Sequence, residues 1–208
     1  MTTTNVAILI FDGVEVLDFA GPFEVFSRAR LTPGVDSRRT DDDAPFNVFT
    51  VAKYHDEIVA TGGLRVIPEY CFDDAPSIDL LLVPGGFGTR PLLEDAEVLD
   101  WIRATAGRAS RVTSVCTGAL LLAKLGLLAQ RRATTHWSAL DLLKAIDPTT
   151  VVESAPRFVD DGVVTSAGVS AGIDMSLWLV GQLWDPAFAR QVQRYIQYEP
   201  SPPYAAET

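Results

Sequence analysis

Between Arg111 and Gly126 the chain reads RVTSVCTGALLLAKLG, an apolar strand that passes into an apolar helix almost without a loop. Arg111 to Val115 has the pattern of a short buried strand, Ala119 to Leu125 that of a helix, and Gly126 stands where a C′ glycine ends one. Only Thr117 and Gly118 separate Cys116 from the helix. A bend this tight places its residue at the carboxyl edge of a parallel sheet, which commits the chain to an α/β architecture. That residue is Cys116. Free N–H groups in the first helical turn point back at it, and with the helix dipole they favour a thiolate or a negative charge growing on a substrate. Free cysteine is also among the most buried residue types, so the bend alone leaves a reactive thiol and an inert small hydrophobe equally open.

The rest of the chain alternates in the same way. Val6 to Phe11 is a continuous apolar run, as expected of a strand covered on both faces. A helix is predicted over Gly21 to Arg30, with Phe19, Phe23 and Phe26 on one side. Residues 32–44 (TPGVDSRRTDDDA) read as a mobile surface loop. Strands are predicted at Phe46 to Ala52 and Leu80 to Val83, part of a hairpin at Leu64 to Ile67, and a helix through Val98, Trp101, Ile102 and Thr105 that Gly107 closes. A short strand or turn at 131–137 precedes a helix over Leu140 to Ile146. Arg157 to Thr165 reads as a hairpin turning at Asp160-Asp161-Gly162. Ser170 caps a helix carrying Ile173, Leu177, Val180 and Trp184, and Asp185-Pro186 starts the last one. Tyr198 to Tyr204 ends the fold. The expected architecture is a single-domain α/β sandwich over residues 1–208, with a mostly parallel central sheet flanked by helices.

Composition narrows the function. With 208 residues, 48% of them hydrophobic, the chain can bury one full core. A formal net charge of −10 repels phosphate backbones and anionic lipid, so neither nucleic acid nor membrane is an expected partner. Two cysteines, Cys71 and Cys116, make no disulfide framework, and a reducing cytoplasm is the simpler location. The start MTTTNVAILIF lacks the basic segment of a signal peptide. The longest apolar stretch, Ala119 to Ala129, is interrupted by Lys124 and Gly126 and is too short to span a bilayer.

Asp18 heads the other chemical candidates. It follows the first strand, and loops after parallel strands gather at the sheet edge that carries the Cys116 bend. It reads either as a helix-entry cap near Gly21-Pro22 or as a carboxyl that shares a proton with the thiol. Glu15 and Glu24 read as surface residues. Gly85 and Gly86, directly after a core strand, either let backbone N–H groups approach a ligand or simply make a tight turn; PGGFG lacks the spacing of a dinucleotide fingerprint. His136 either polarises a substrate or serves the core, His55 reads as surface, and Cys71 reads as an inert thiol. No histidine, cysteine and carboxylate group has metal-ligand spacing, so no metal is expected.

FDGVEVLDFAGPFEVF, LLLVPGGFG, VTSVCTGALLLA, RRATTHW and SAGVSAGIDM, in that order, resemble the ThiJ/PfpI superfamily of the class I glutamine-amidotransferase-like fold, over nearly the whole chain. Within it, the acidic residue in LDxxGP, SVCTG at the bend and ATTHW soon after are similar to the isocyanide (isonitrile) hydratases. Amidotransferases complete a triad with a late histidine, and TSAGVSAGID (165–174) has none, so glutamine hydrolysis is not expected. PfpI-type peptidases carry histidine directly after the cysteine, where this chain has Thr117. Related transcription regulators continue into a helix-turn-helix domain, and an acidic chain ending at Thr208 is not expected to be one. The resemblance implies hydration of isocyanides to N-formamides through a Cys116 thioimidate, without cofactor or metal. In that reading Asp18 moves protons, and Thr117 and Gly86 position the substrate. Alternatives are a non-enzymatic cysteine redox sensor and glyoxalase-like dicarbonyl hydration. The resemblance also implies a homodimer, for which the aromatic residues Phe19, Phe23 and Phe26 give weak support.

Overall fold

The computed structural model describes residues 3–201. Its strands, in chain order, are β1 (Thr4–Leu9), β2 (Phe46–Ala52), β3 (Ile58–Val59), β4 (Arg65–Val66), β5 (Tyr70–Cys71), β6 (Leu80–Val83), β7 (Arg111–Val115), β8 (Arg132–Ala133), β9 (Val151–Val152), β10 (Phe158–Asp160) and β11 (Val164–Ser166). The helices are α1 (Val16–Ser27), α2 (Thr89–Leu92), α3 (Ala96–Ala106), α4 (Gly118–Lys124), α5 (Leu140–Ile146), α6 (Ala171–Leu183) and α7 (Pro186–Tyr195). Seven strands form one sheet in the order β10-β11-β7-β6-β1-β2-β5, parallel except for the β10–β11 hairpin. The expected α/β sandwich is the fold observed.

The sheet interior follows from the apolar runs. Leu80, Leu81, Leu82 and Val83 are all buried, because β6 lies mid-sheet with a layer on each face. Helix α1 packs on β1 and β2 and against α6, which packs in turn on α7; α4 packs on β6 and β7 and against α2 and α5. Right-handed crossovers put these two groups of helices on opposite faces. From β1 the chain moves one way to β2; β6 then enters on the other side of β1 and leads to β7. The strand order therefore reverses between β1 and β6, and the crevice beyond their carboxyl ends is the place for a ligand.

Three expectations change. Helix α1 begins at Val16 rather than Gly21, so Asp18 lies inside its first turn and Pro22 inside the helix. The proline suggested a later start, yet its ring removes only the N–H that would reach back to Asp18, and burial of Phe19, Val25 and Phe26 keeps the helix intact. Residues 32–44 are not a loose loop. Arg30, 1% exposed, donates to the carbonyls of Ser27, Ala29 and Thr40 and pairs with Asp41, while Arg38 stacks on the Tyr195 ring at 4.4 Å. Guanidinium groups with several donors can tie down a polar segment that has no apolar anchor. Ser170 does precede α6, but its hydroxyl makes no cap bond and accepts from Arg157 instead. Asp185 caps α7 through the Phe188 N–H, with Pro186 in the first turn, as read from sequence. Tyr204 lies outside the described residues.

Candidate active site

Four neighbouring strands deliver the site. Asp18 comes after β1, Gly85 and Gly86 after β6, Cys116 after β7 and Val169 after β11. Cys116 has φ +56°, a left-handed conformation unusual for a side chain with a Cβ. Its N–H donates to the Ala167 carbonyl at 2.7 Å, and its carbonyl accepts the Thr135 hydroxyl at 2.7 Å, so both ends of the strained residue are held. The bend seen in the sequence is thus built, with the thiol only 6% exposed.

The β6 loop closes against it. A Cβ at Gly85 would sit 2.5 Å from the Thr117 nitrogen, and one at Gly86, where φ is +124°, 2.3 Å from the Gly13 carbonyl oxygen. Only glycine permits this approach. The approach serves the protein's own groups: the Gly85 N–H donates to Asp18 Oδ2 at 2.9 Å, and the Gly86 N–H to Thr117 Oγ1 at 3.0 Å. The expectation that the Gly86 N–H contacts substrate is therefore corrected, since that donor is already committed. Thr117 also gives its proton to the Gly86 carbonyl at 3.2 Å and accepts from Thr89 at 3.2 Å. Its hydroxyl fixes the loop to the bend.

Asp18 is fully buried, and its Oδ1 has no hydrogen-bond partner among the described residues. Burial pushes its pKa up to about 7 against the opposing effect of the Gly85 N–H; the Cys116 thiol and the Val169 N–H also favour the carboxylate, and the Glu15 charge disfavours it. Burial, then the Asp18 charge, pushes the Cys116 thiol up to about 12, against the Thr117 N–H. The thiol and the carboxyl thus act on each other directly, without an aligned hydrogen bond to satisfy Oδ1. The helix terminus is expected to favour a thiolate, and the Thr117 N–H does act in that direction, but burial and the Asp18 charge act against it. Burial thus raises the pKa of both groups, and each makes ionisation of the other harder or easier according to its own charge.

A cavity of about 150 Å³ opens onto the sulfur. Its walls include Thr117, His136, Glu15, Arg90 and Phe87. His136 Nδ1 lies 2.7 Å from the Ser138 hydroxyl and accepts the Ser138 N–H at 3.3 Å, which assigns the ring proton to Nε2. Burial and the Arg90 charge lower its pKa, so the ring is neutral at pH 7. Glu15 was read as a surface residue; it lines the cavity because the chain from Val14 is drawn onto the β6 loop. Arg90 and Phe87 carried no signal in sequence, since both follow a glycine turn whose direction only the fold sets. Larger cavities exist, one of about 330 Å³ beside Phe72 and Lys53, but that one contains neither the Cys116 thiol nor Asp18.

Comparison with known proteins agrees with this fold. Residues 4–182 match the DJ-1/PfpI family. The chain is 38% identical to an isonitrile hydratase of Pseudomonas putida, over 96% of this chain and 81% of that protein. It is 25% identical to the HTH-type transcriptional regulator GbdR of Pseudomonas aeruginosa, over 94% of this chain but about half (51%) of the regulator. The crystal structure of a ThiJ/PfpI family protein from Pseudomonas syringae superposes with a TM-score of 0.87 at 32% identity, covering 100% of this chain and 80% of that one. The family match over residues 4–182 and the likeness along nearly the whole fold place this chain in the DJ-1/PfpI family.

Proposed function

We propose that the protein hydrates isocyanides, R–NC, to N-formamides. The observation that carries this reading is the pair itself: Cys116 on its left-handed bend beside the fully buried Asp18, with a cavity opening onto the sulfur, and burial raising the pKa of both groups. An isocyanide carbon must receive both a nucleophile and a proton, and one Cys–Asp pair supplies both. The Asp18 carboxylate takes the Cys116 proton as Sγ attacks the carbon, then passes it to that carbon, giving R–N=CH–S–Cys116. Asp18 next deprotonates a water that adds to the same carbon. The nitrogen gains a proton, the C–S bond breaks, R–NH–CHO leaves and the sulfur is reprotonated. We assign the donor to the substrate nitrogen to His136 through Nε2–H, because the glycine N–H groups are occupied. Likeness to an isonitrile hydratase supports the same chemistry.

The test is formamide formation from cyclohexyl and para-nitrophenyl isocyanide by the wild type and by Cys116→Ala. Turnover by the wild type alone is expected. No turnover across an isocyanide panel, with hydration of methylglyoxal instead, replaces this reading by the dicarbonyl one. The homodimer, implied by family resemblance, and the cytoplasmic setting, read from cysteine usage, remain proposals. Phe19 and Phe26 are buried in the core, so they lend the dimer nothing. Light scattering giving about 22 kDa, the mass of one chain at 22.6 kDa, rejects it. No helix among the described residues is long and apolar enough to cross a membrane.

A further inference from the structure

At the β5 edge of the sheet the fold assembles a second group of reactive side chains that sequence spacing hides. His55 lies in the loop after β2, Cys71 ends β5 and Asp74 lies in the turn that follows. His55 and Asp74 are 19 residues apart, and a local search for ligand spacing passes over them. The pairing of β2 with β5, Ala52 opposite Cys71, brings them together. One ligand atom from each, imidazole N, thiol S and carboxylate O, lies within 4.8 Å of the other two. His55 Nε2 is 2.9 Å from Asp74 Oδ2.

The group is held in place by features outside it. The Cys71 N–H donates to Asp74 Oδ1 at 2.8 Å, which fixes the carboxylate orientation and leaves Oδ2 for the histidine. Phe72, between the two ligands in sequence, stacks on Trp101 with centroids 4.4 Å apart and anchors the turn. The thiol is 9% exposed, while the His55 and Asp74 side chains face solvent. The sulfur thus forms the floor of the group and its mouth is open.

We propose that His55, Cys71 and Asp74 bind a borderline-soft divalent cation, Zn²⁺ or one of similar chemistry. Thiolate, imidazole and carboxylate are the donors such an ion prefers, whereas Ca²⁺ and Mg²⁺ require oxygen cages. Tetrahedral zinc separates its ligand atoms by roughly 3.3–3.8 Å, given bonds of about 2.0–2.3 Å. With all three ligand atoms within 4.8 Å of one another, no pair has more than about 1 Å to close. Thiolate and carboxylate together carry two negative charges, which neutralise the ion. Three protein ligands leave its fourth position to water on the open side. Four strand spacings, roughly 19 Å, separate β5 from β7, so this site and the Cys116 site are distinct. Its consequence is a clip between the β2–β3 loop and the sheet edge.

The probe is Co²⁺, then Zn²⁺, added to Cys116→Ala protein so that Cys71 is the only thiol. One equivalent of Co²⁺ should produce a thiolate-to-cobalt charge-transfer band that Zn²⁺ abolishes and excess Mg²⁺ does not. Cys71→Ser in that background should remove the band, and His55→Ala or Asp74→Asn should weaken binding at least tenfold, with circular dichroism checking each fold. In wild-type protein, Zn²⁺ should raise the unfolding temperature and protect Cys71 from iodoacetamide, read by peptide mapping. A folded Cys116→Ala protein with no charge-transfer band, or a band that survives Cys71→Ser, overturns the proposal. So does wild-type Cys71 that alkylates equally fast with and without Zn²⁺.

Discussion

The two cysteines each lie beside an aspartate, and the two pairs behave oppositely. At the bend, Asp18 is fully buried and keeps its proton up to about pH 7, although a backbone N–H favours the carboxylate. At the sheet edge, Asp74 accepts the same kind of N–H bond, from Cys71, but faces solvent, and its pKa lies below the usual carboxylate value. The bonding is alike; the dielectric differs. A thiol and a carboxyl placed together become a proton-sharing couple only where water is excluded.

The largest expected effect breaks the comparison outright. Cys116→Ala should lower isocyanide turnover at least roughly 10³-fold, whereas Cys71→Ser should change it less than about twofold. Comparable losses at both positions would show that the bend does not define the site. Asp18→Asn comes next, at roughly 10²–10⁴-fold in kcat/KM. In the wild type, kcat/KM should fall about tenfold per pH unit below about 7, because the reaction needs Asp18 ionised. A flat profile from pH 5 to 8 would remove Asp18 as the base.

The same substitution should separate stability from activity. The folded pKa of Asp18, about 7, exceeds the reference 3.8, so its contribution to stability is full below about pH 4 and lost as pH rises through 7. Asp18→Asn keeps an acceptor for Gly85 and sheds the buried charge, so it should gain up to about 4 kcal/mol near pH 8 and almost nothing at pH 4. Asp74 has the opposite sign: its depressed pKa supports the fold above 3.8 and is lost as pH falls below that, so Asp74→Asn should weaken the protein near neutrality and not in acid. Urea midpoints against pH for the two variants should cross in sense. Thr117→Val should show the smallest effect on turnover, a few-fold to tenfold. Its cost to stability should be about 1–3 kcal/mol, since it strips the Gly86 N–H of its acceptor. Unchanged stability would show that the hydroxyl serves the substrate instead.

What could be read in the chain was what local pattern controls. Leu80 to Val83 as a buried strand, Arg111 to Val115 turning at Cys116, and Asp185-Pro186 opening a helix depend on neighbours in sequence, and the fold reproduces all three. What escaped depends on packing between distant segments. The Gly86 N–H was available to a ligand until Thr117, 31 residues later, occupied it. Glu15 reads as surface until the bridge of its neighbour Val14 to Gly86 is known. The thiolate expected at the helix terminus ignored how deeply the sulfur and Asp18 are buried, and burial is a property of the assembled sheet. The His55, Cys71 and Asp74 group exists only because an edge strand pairs with β2.

The segment that carries Asp18 and the loop that carries Gly85 are also stitched to each other. Glu15 donates its N–H to the Gly85 carbonyl at 2.9 Å, Gly88 to the Gly13 carbonyl at 3.1 Å, and Thr61 to the Val14 carbonyl at 2.8 Å. These are ladder-type bonds between three separate parts of the chain, and they leave no hinge between the acid–base group and the floor of the cavity. In the proposed reaction a substrate would therefore meet a template already set by these bonds. Amide exchange at Glu15 and Gly88 should be as slow with the cavity empty as with it filled.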